Sequence, residues 1–210
     1  MRTAKRGAFI VLEGCDRSGK SSQSRLLYEF LTSNGYQAKH MHFPTRTTEI
    51  GSTINSYLKN SKELNDQVIH LLFSANRWEF LKEMQNLLNA GTTLVVDRYS
   101  YSGVAYSVAK GMDFDWCMAP EKGLLRPDAV FYLKAPIDHL IQRGDFGRER
   151  YEKKEFQSKV ASVFDRLCEE QTEFWHSVDA SQSEAVVFED IRLKAMSVLN
   201  KAKHTPLCSL

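Results

Sequence analysis

Residues 9–21 read FIVLEGCDRSGKS, a short apolar run followed by a glycine-rich turn. The run from Ala8 to Leu12 is apolar at every position, which is typical of a strand buried on both faces of a sheet. The turn from Gly14 to Ser21 matches the spacing G-x-x-x-x-G-K-[ST], and helix-period sequence follows it. A strand, a glycine-rich turn and a helix in this order predict a P-loop.

The P-loop pattern indicates binding of a nucleoside triphosphate. Glycines let successive backbone N–H groups converge on phosphate oxygens, and the N-terminus of the following helix adds partial positive charge. Lys20 is expected to bridge the terminal phosphates, and Ser21 is placed to hold Mg²⁺. The sequence contains no convincing copy of the D-x-x-G or N/T-K-x-D motifs of GTPases. The reaction must therefore be identified from other residues.

Further apolar runs alternate with helix-period segments along the chain. The predicted strands are residues 8–12, 92–96 and 128–133, with weaker strands at residues 37–43 and 175–178. The predicted helices are residues 19–33, 66–89, 156–174 and 183–200. This alternation predicts an α/β protein of the P-loop NTPase type, a three-layer α/β/α arrangement around a five-stranded parallel sheet. Because neither a repeat nor a linker is evident, we expect residues 1–210 to form a single domain.

Composition excludes several classes of protein. The chain is 42% hydrophobic and 26% charged, which excludes disorder as its main state. Its net charge of +2 is too small to attract nucleic acid or an anionic membrane strongly, so neither is expected as a partner. It has no apolar stretch of 18 residues, and its four cysteines lack zinc-site spacing. We expect a cytoplasmic protein, with nuclear or mitochondrial routing left open.

A second candidate site feature lies at the end of the predicted strand at residues 92–96. Asp97 follows the apolar run and Arg98 comes directly after it. An acid at a strand end beside a P-loop is suited to orient Mg²⁺, directly or through bound water. The adjacent arginine is suited to grip a second phosphate group.

Four blocks of sequence, taken together and in order, resemble thymidylate kinase of the eukaryotic and poxviral type, within the P-loop nucleoside monophosphate kinases. They are residues 9–21, FPTR at 43–46, LLFSANRWE at 71–79 and DRYSYSGVAY at 97–106. The resemblance implies ATP-dependent phosphorylation of dTMP to dTDP in dTTP synthesis, with ATP as donor, Mg²⁺ as cofactor and a homodimeric enzyme. The predicted helix at residues 66–89 is apolar nearly all round, which is consistent with a face covered by a second subunit.

The resemblance also assigns residues to two binding sites. The ATP-binding set is Gly14, Arg17, Ser18, Gly19, Lys20, Ser21, Ser22 and Arg143. The dTMP-binding set is Asp16, Phe43, Arg46, Phe73, Arg77, Arg98, Ser102, Gly103, Tyr106 and Tyr151. Within the second set, Arg46 and Arg98 are implied to hold the monophosphate and Asp16 the sugar 3′-hydroxyl. Tyr106 is implied to lie under the sugar, and Tyr151 to close the pocket.

Helical spacing supports the assignment of the base-binding residues. Phe73 and Arg77 are four residues apart and share one side of the predicted helix, where they are implied to stack on thymine and to bond its O4. The opposite side carries Leu71, Ala75 and Trp78, and we expect this apolar stripe to pack inward.

The mechanism implied for this site needs charge stabilisation and positioning, with Lys20, Asp97, Arg98 and Arg17 as the catalytic residues. Arg17 is implied to act as an internal arginine finger, and no general base is needed because the acceptor phosphate is already ionised. The charge-rich segment at residues 143–157 is predicted to be a flexible lid, with hinge freedom at Gly144 and Gly147 and with Arg143 near adenine. Whether Arg148 and Arg150 take part in the chemistry is left open.

Two other functions compete with this one. A deoxynucleoside kinase would need a carboxylate base near the P-loop, and Glu13 is the candidate. Arg46 and Arg98 together favour an acceptor that already carries phosphate. A catalytically weak nucleotide-binding regulator on the same scaffold is disfavoured, because Lys20 and Arg17 are present together with the Asp97-Arg98 pair.

Overall fold

The computed structural model describes residues 6–143 and 149–210. Its centre is a five-stranded parallel sheet in the order β2-β3-β1-β4-β5. The strands are β1 (Phe9–Glu13), β2 (Ala38–His42), β3 (Thr93–Asp97), β4 (Ala129–Lys134) and β5 (Trp175–Asp179). Each predicted apolar run is a strand, and the predicted five-stranded parallel sheet is confirmed.

Helices cover both faces of this sheet. They are α1 (Lys20–Ser33), α2 (Glu49–Leu58), α3 (Asp66–Trp78), α4 (Leu81–Asn89), α5 (Ser100–Val108), α6 (Phe114–Met118), α7 (Ile137–Ile141), α8 (Lys154–Glu170) and α9 (Glu184–Ala202). Apolar side chains of α1 and α9 pack on one face, and those of α4, α5 and α8 pack on the other. The three-layer α/β/α arrangement is therefore confirmed. Within the described ranges, no helix has both the length and the apolar character needed to cross a membrane.

The continuous helix predicted for residues 66–89 is wrong. The segment forms two helices, because the N–H of Phe80 bonds to the carbonyl of Arg77 at 3.1 Å and tightens the chain between α3 and α4. The ring of Phe80 lies 5.8 Å from that of Phe43, in an edge-to-face contact. Packing of one aromatic side chain on the core thus overrides the helical period of the sequence.

The expected inward packing of Leu71, Ala75 and Trp78 is also wrong. Leu71 is 46% exposed and Trp78 is 39% exposed, and Ala75 is only partly buried. The inward side of α3 instead carries polar groups, among them His70 and Arg77, whose hydrogen bonds to other segments are satisfied in the interior. The Phe73–Arg77 side and the Leu71–Trp78 side of α3 are opposite one another as predicted. It is the Phe73–Arg77 side that faces the interior, whereas the Leu71–Trp78 side faces outward.

Strand register places the two main sequence motifs side by side. In the parallel pair β1–β3, Leu12 lies opposite Asp97. The glycine-rich turn that follows β1 and the Arg98 turn that follows β3 therefore leave the sheet at the same edge. In open α/β sheets, ligands bind at this carboxyl edge.

Candidate active site

Two adjoining cavities open at the carboxyl edge of the sheet. The first has a volume of about 400 Å³ and extends from the β3 end toward α3 and α5. The second has a volume of about 570 Å³ and lies along the glycine-rich turn and the start of α1. Asp16, Ser21 and Arg98 line both cavities. Two ligands bound in these cavities would meet at those three residues.

The glycine-rich turn has the backbone geometry of a phosphate-binding loop. Gly14 has φ 146°, and a Cβ at this position would lie 2.7 Å from the carbonyl oxygen of Leu133, so that only glycine fits. No side chain caps the N-terminus of α1. Its first backbone N–H groups therefore remain available for phosphate oxygens at the second cavity.

The Lys20 side chain is folded back on the turn. It is 4% exposed, and its Nζ donates to the carbonyl of Cys15 at 2.5 Å and to the Ser18 hydroxyl at 3.3 Å. Burial, with the nearby charge of Arg98 as a smaller cause, lowers the pKa of Lys20 to about 8. The nearby carboxylates of Asp97 and Asp16 oppose this fall in the pKa of Lys20 but do not offset the burial of its ammonium group.

Ser21 and Asp97 form a small oxygen-rich site between the cavities. The Ser21 hydroxyl donates to Oδ2 of Asp97 at 2.5 Å, whereas Oδ1 is buried with no hydrogen-bond partner in the described part of the chain. Buried polar atoms are normally satisfied, so this oxygen indicates a ligand position. A hydroxyl and a free carboxylate oxygen suit Mg²⁺, which takes few protein ligands and completes its shell with phosphate and water.

Arg98 links the two cavities. Its guanidinium forms an ion pair with Asp16 and donates to the Gly14 carbonyl at 3.3 Å and to the Ser102 hydroxyl at 3.1 Å. Asp16 in turn accepts from Nε2 of Gln157 at 2.7 Å. Gln157 is absent from the predicted binding sets, and its role as a bridge between the turn and α8 could not be found from spacing because 141 residues separate it from Asp16.

Arg17 and Arg143 stand at the second cavity. Nε of Arg17 donates to Glu152 at 3.1 Å. Arg143 donates to the Arg17 carbonyl and to the Ala180 carbonyl, each at 2.8 Å, and so connects the glycine-rich turn to the end of β5. Ala180, Gln182 and Glu184 complete this end of the cavity.

Backbone strain is concentrated at two of these arginines. Arg17 and Arg98 both have φ 64°, and Asn60 is the one other non-glycine residue with positive φ in the described ranges. A left-handed conformation costs a side-chain-bearing residue on the order of 1–3 kcal/mol and persists where the surroundings enforce it. Both strained arginines line the second cavity, and Arg98 also lines the first.

The far end of the first cavity is built around Arg77 and Phe73. Arg77 is 2% exposed, and its guanidinium forms a two-pronged pair with Glu121, with Nε 2.8 Å from Oε2. Gly103 makes room for this group, because a Cβ there would lie 2.7 Å from Nη2 of Arg77. Phe73 is half-buried on the same wall. Sequence reasoning missed Glu121, which gave no local signal.

Three further predicted residues line the first cavity. Arg46 donates to Asn55 at 2.9 Å and to Glu149 at 3.0 Å. Phe43 is buried against aromatic neighbours, and Tyr151 stacks on Phe156 with ring centroids 5.2 Å apart. The cavity therefore has an aromatic wall and a basic rim, which suits a flat base attached to a phosphate.

The structure argues against Glu13 as a catalytic base. Glu13 is fully buried and lines neither cavity. Its carboxylate accepts from the N–H groups of Tyr99 and Ser102, at 2.9 and 3.0 Å, and from the Ser102 hydroxyl at 2.5 Å. Burial raises the pKa of Glu13, and these hydrogen bonds oppose that rise. Glu13 thus fixes the start of α5, and the deoxynucleoside kinase alternative loses its proposed base.

The structure brings the predicted residues together in two groups. All ten residues of the predicted dTMP-binding set line the first cavity. The predicted ATP-binding set lines the second cavity except for Gly14, whose carbonyl contacts Arg98. Arg150 lines neither cavity, and it is paired with Glu63 and placed over the ring of Tyr57. The hinge residues Gly144 and Gly147, and Arg148, lie outside the described residues.

Comparisons with known proteins agree with this geometry. The family model for thymidylate kinase matches residues 12–191. Human thymidylate kinase is 46% identical over 208 residues, which are 99% of this chain and 98% of that protein. A putative thymidylate kinase of Invertebrate iridescent virus 6 is 43% identical and covers 89% of this chain and 86% of its own length. The structure of thymidylate kinase from Candida albicans superposes with a TM-score of 0.85 at 36% identity, covering 98% of this chain and 96% of that one. The chain belongs to the thymidylate kinase family.

Proposed function

We propose that this protein transfers the γ-phosphoryl group of ATP to dTMP, giving dTDP and ADP, in the synthesis of dTTP. Membership of the thymidylate kinase family supports the reaction and both substrates. The observation that carries the proposal for the site is the meeting of two cavities at Asp16, Ser21 and Arg98. A donor phosphate and an acceptor phosphate would be adjacent there, as direct transfer requires.

ATP is assigned to the second cavity. Its β- and γ-phosphates would lie on the backbone N–H groups of residues 14–21, with Lys20 turning from its carbonyl partner to the terminal phosphates. The negative charge of the phosphates supplies what the buried ammonium lacks. Arg143 would lie beside the adenine, since it spans the space between the turn and Ala180.

dTMP is assigned to the first cavity. Phe73 would stack on thymine while Arg77 donates to O4, and an amino group at that position, as in cytosine, would face a donor and be disfavoured. Arg46 and Arg98 would hold the monophosphate, and Asp16 would accept from the 3′-hydroxyl. The rest of the wall is formed by Phe43, Ser102, Gly103, Tyr106 and Tyr151.

Ser21 and Asp97 are proposed to hold Mg²⁺, directly or through water. The unpartnered Oδ1 of Asp97 and the adjacent hydroxyl fit this ion. When bound, Mg²⁺ supplies positive charge to the donor phosphates.

The transfer itself is proposed to be in line and without a covalent enzyme intermediate. An oxygen of the dTMP phosphate attacks the γ-phosphorus, and the bond to the β–γ bridging oxygen breaks so that ADP leaves with that electron pair. Arg98 holds the attacking phosphate, while Lys20 and Arg17 stabilise charge on the transferring group. Arg17 would exchange its bond to Glu152 for phosphoryl oxygens. No proton needs to be removed, because the acceptor phosphate is ionised.

A homodimer is proposed from the exposed apolar face of α3. Val68, Leu71 and Trp78 lie on one side of this helix, each at least 39% exposed. Trp116 of α6 is a further exposed aromatic residue, and its ring lies 5.4 Å from that of His70 on the inward side of α3. Large apolar side chains on one helix face favour association with a second copy of the chain. A single domain over residues 1–210 and a cytoplasmic location complete the proposal.

The function is tested by measuring ADP release with dTMP, dUMP, dCMP, UMP and thymidine as acceptors. We expect dTMP to give the highest kcat/KM and thymidine to give none. Turnover of thymidine without turnover of dTMP would contradict the proposal.

A further inference from the structure

We propose that Glu121 is a positioning residue for pyrimidine recognition, which holds the guanidinium of Arg77 so that its remaining N–H groups face the first cavity. This inference rests on the proposed function, since it concerns the base of the acceptor nucleotide. Glu121 itself does not line the cavity and would not touch the substrate.

The contact between the two side chains leaves the recognition edge of Arg77 free. Glu121 accepts from Nε of Arg77 at 2.8 Å and from Nη2. This bidentate ion pair uses the Nε–H and one N–H of Nη2. Among the described residues, both N–H groups of Nη1 and the second N–H of Nη2 have no hydrogen-bond partner, and Arg77 lines the cavity. Glu121 therefore fixes the plane of the guanidinium from the side away from the base.

Because Arg77 is buried, its guanidinium needs the Glu121 carboxylate as a charge partner. Arg77 is 2% exposed and Glu121 is fully buried. A buried guanidinium cannot lose its proton to escape the cost of burial, so it needs an opposite charge within contact distance. Gly103 provides the space that this pair occupies, because any larger residue would meet the guanidinium.

Glu121 is itself held in place by α3. It ends a short 3-10 turn, Ala119–Glu121, whose Pro120 carbonyl accepts from the Ser74 hydroxyl at 3.0 Å and from Nε1 of Trp78 at 2.8 Å. Helix α3, which carries Arg77, therefore also anchors the turn that carries Glu121.

The C-terminal residues hold the segment after Glu121 from another direction. The N–H of Leu210 bonds to the Leu124 carbonyl at 2.8 Å, and the N–H of Arg126 bonds to the Cys208 carbonyl at 2.9 Å. With anchors on both sides, Glu121 is not free to follow a displaced arginine. The pair therefore sets the position of the Arg77 donors rather than merely neutralising their charge.

The inference is tested with Glu121→Gln, which keeps the shape of the side chain but replaces one acceptor oxygen by a donor that faces the guanidinium. We expect KM for dTMP to rise about tenfold or more, while kcat at saturation stays within about threefold and KM for ATP is unchanged. The ratio of kcat/KM for dTMP to that for dCMP should fall about tenfold, because Arg77 no longer presents its donors to the base in one orientation. Glu121→Asp keeps the charge at shorter reach, so we expect a several-fold rise in KM for dTMP alone.

Two further comparisons separate positioning from general stability. In a background of Arg77→Met, adding Glu121→Gln should leave KM for dTMP unchanged, because Glu121 acts through Arg77. Asp128→Asn is the matched control, since Asp128 forms a comparable pair with Arg6 away from both cavities. It should lower thermal stability without changing the preference for dTMP over dCMP.

Wild-type values of KM for dTMP and of the dTMP:dCMP ratio in folded Glu121→Gln would overturn the inference. If that variant does not fold, wild-type values in Glu121→Asp would do the same. An equal rise in KM for ATP would also contradict it, because it would show general damage. A wild-type protein that does not phosphorylate dTMP would instead refute the proposed function.

Discussion

The buried ammonium of Lys20 leads to a prediction that stability and activity change in opposite directions. Without nucleotide, burial lowers the pKa of Lys20 to about 8 from its ordinary value of 10.5. At about 1.4 kcal/mol per pKa unit, this difference corresponds to about 3 kcal/mol of unfavourable free energy for the protonated side chain in the folded state. The ligand-free protein bears this cost. Bound ATP is proposed to remove it, since its phosphates would place negative charge beside the Lys20 ammonium.

Replacing Lys20 by Met removes the charge and keeps an unbranched side chain of similar size. The Cys15 carbonyl loses its 2.5 Å donor, a loss of about 1 kcal/mol, so the net gain in the free energy of unfolding at pH 7 is about 2 kcal/mol. For a chain of this size that gain raises Tm by roughly 4–8 °C. Turnover should fall by a factor on the order of 10² or more, because a charge that stabilises the transferring phosphoryl group is lost.

The measurement is urea unfolding without nucleotide, from pH 7 to 10.5. Below pH 8 both folded and unfolded states keep the Lys20 proton, so the cost is fully present. Between pH 8 and 10.5 the unfolded state binds more protons at Lys20 than the folded state, so this residue makes stability rise with pH. The advantage of the Lys20→Met protein should therefore shrink as pH rises through this window. Comparing the two proteins cancels the titration of other groups.

Lys39→Met is the matched control, because Lys39 is exposed and paired with Glu83. It should change the unfolding free energy by less than about 0.5 kcal/mol at any of these pH values. The reasoning is refuted if Lys20→Met is no more stable than the wild type at pH 7, or if its advantage does not depend on pH.

Three other predictions test separate parts of the site. Arg17→Ala should lower kcat about 10²-fold or more with little change in dTMP affinity measured by calorimetry, and an unchanged kcat would remove Arg17 from the chemistry. Asp97→Asn should raise the Mg²⁺ concentration needed for half-maximal activity several-fold, since one charged oxygen at the proposed metal site is lost, and an unchanged Mg²⁺ dependence would contradict that site. Leu71→Glu should convert a dimer to a monomer in sedimentation, because it places charge in the proposed interface, whereas Leu193→Glu on the exposed side of α9 should not.

Local sequence was enough to predict the sheet and the phosphate-binding turn. Continuous apolar runs such as residues 8–12 identify buried strands, and the glycine spacing of residues 14–21 follows from backbone geometry. The break between α3 and α4 was not predictable in this way, because it depends on Phe80 packing against Phe43, 37 positions earlier in the numbering. The spacing of apolar residues identifies the two faces of a helix, but it does not show which of them packs against the core.

The same limit applies within the site. Asp97 follows from its position at a strand end and Lys20 from the spacing of the glycine-rich turn. Glu121, in contrast, is 44 residues from Arg77 and lies in a short turn without a motif. Its role depends on a contact that only the folded chain creates. The left-handed backbone of Arg98 is equally invisible in the sequence, since arginine rarely adopts it and the surrounding contacts enforce it.

The central claim is that one active site moves the γ-phosphoryl group of ATP onto dTMP. Phosphorus NMR of the purified protein with equimolar ATP, dTMP and Mg²⁺ follows all the phosphates at once. We predict that dTDP and ADP appear in equal amounts, with inorganic phosphate well below either. Release of inorganic phosphate without dTDP, or no reaction of dTMP, would contradict the account.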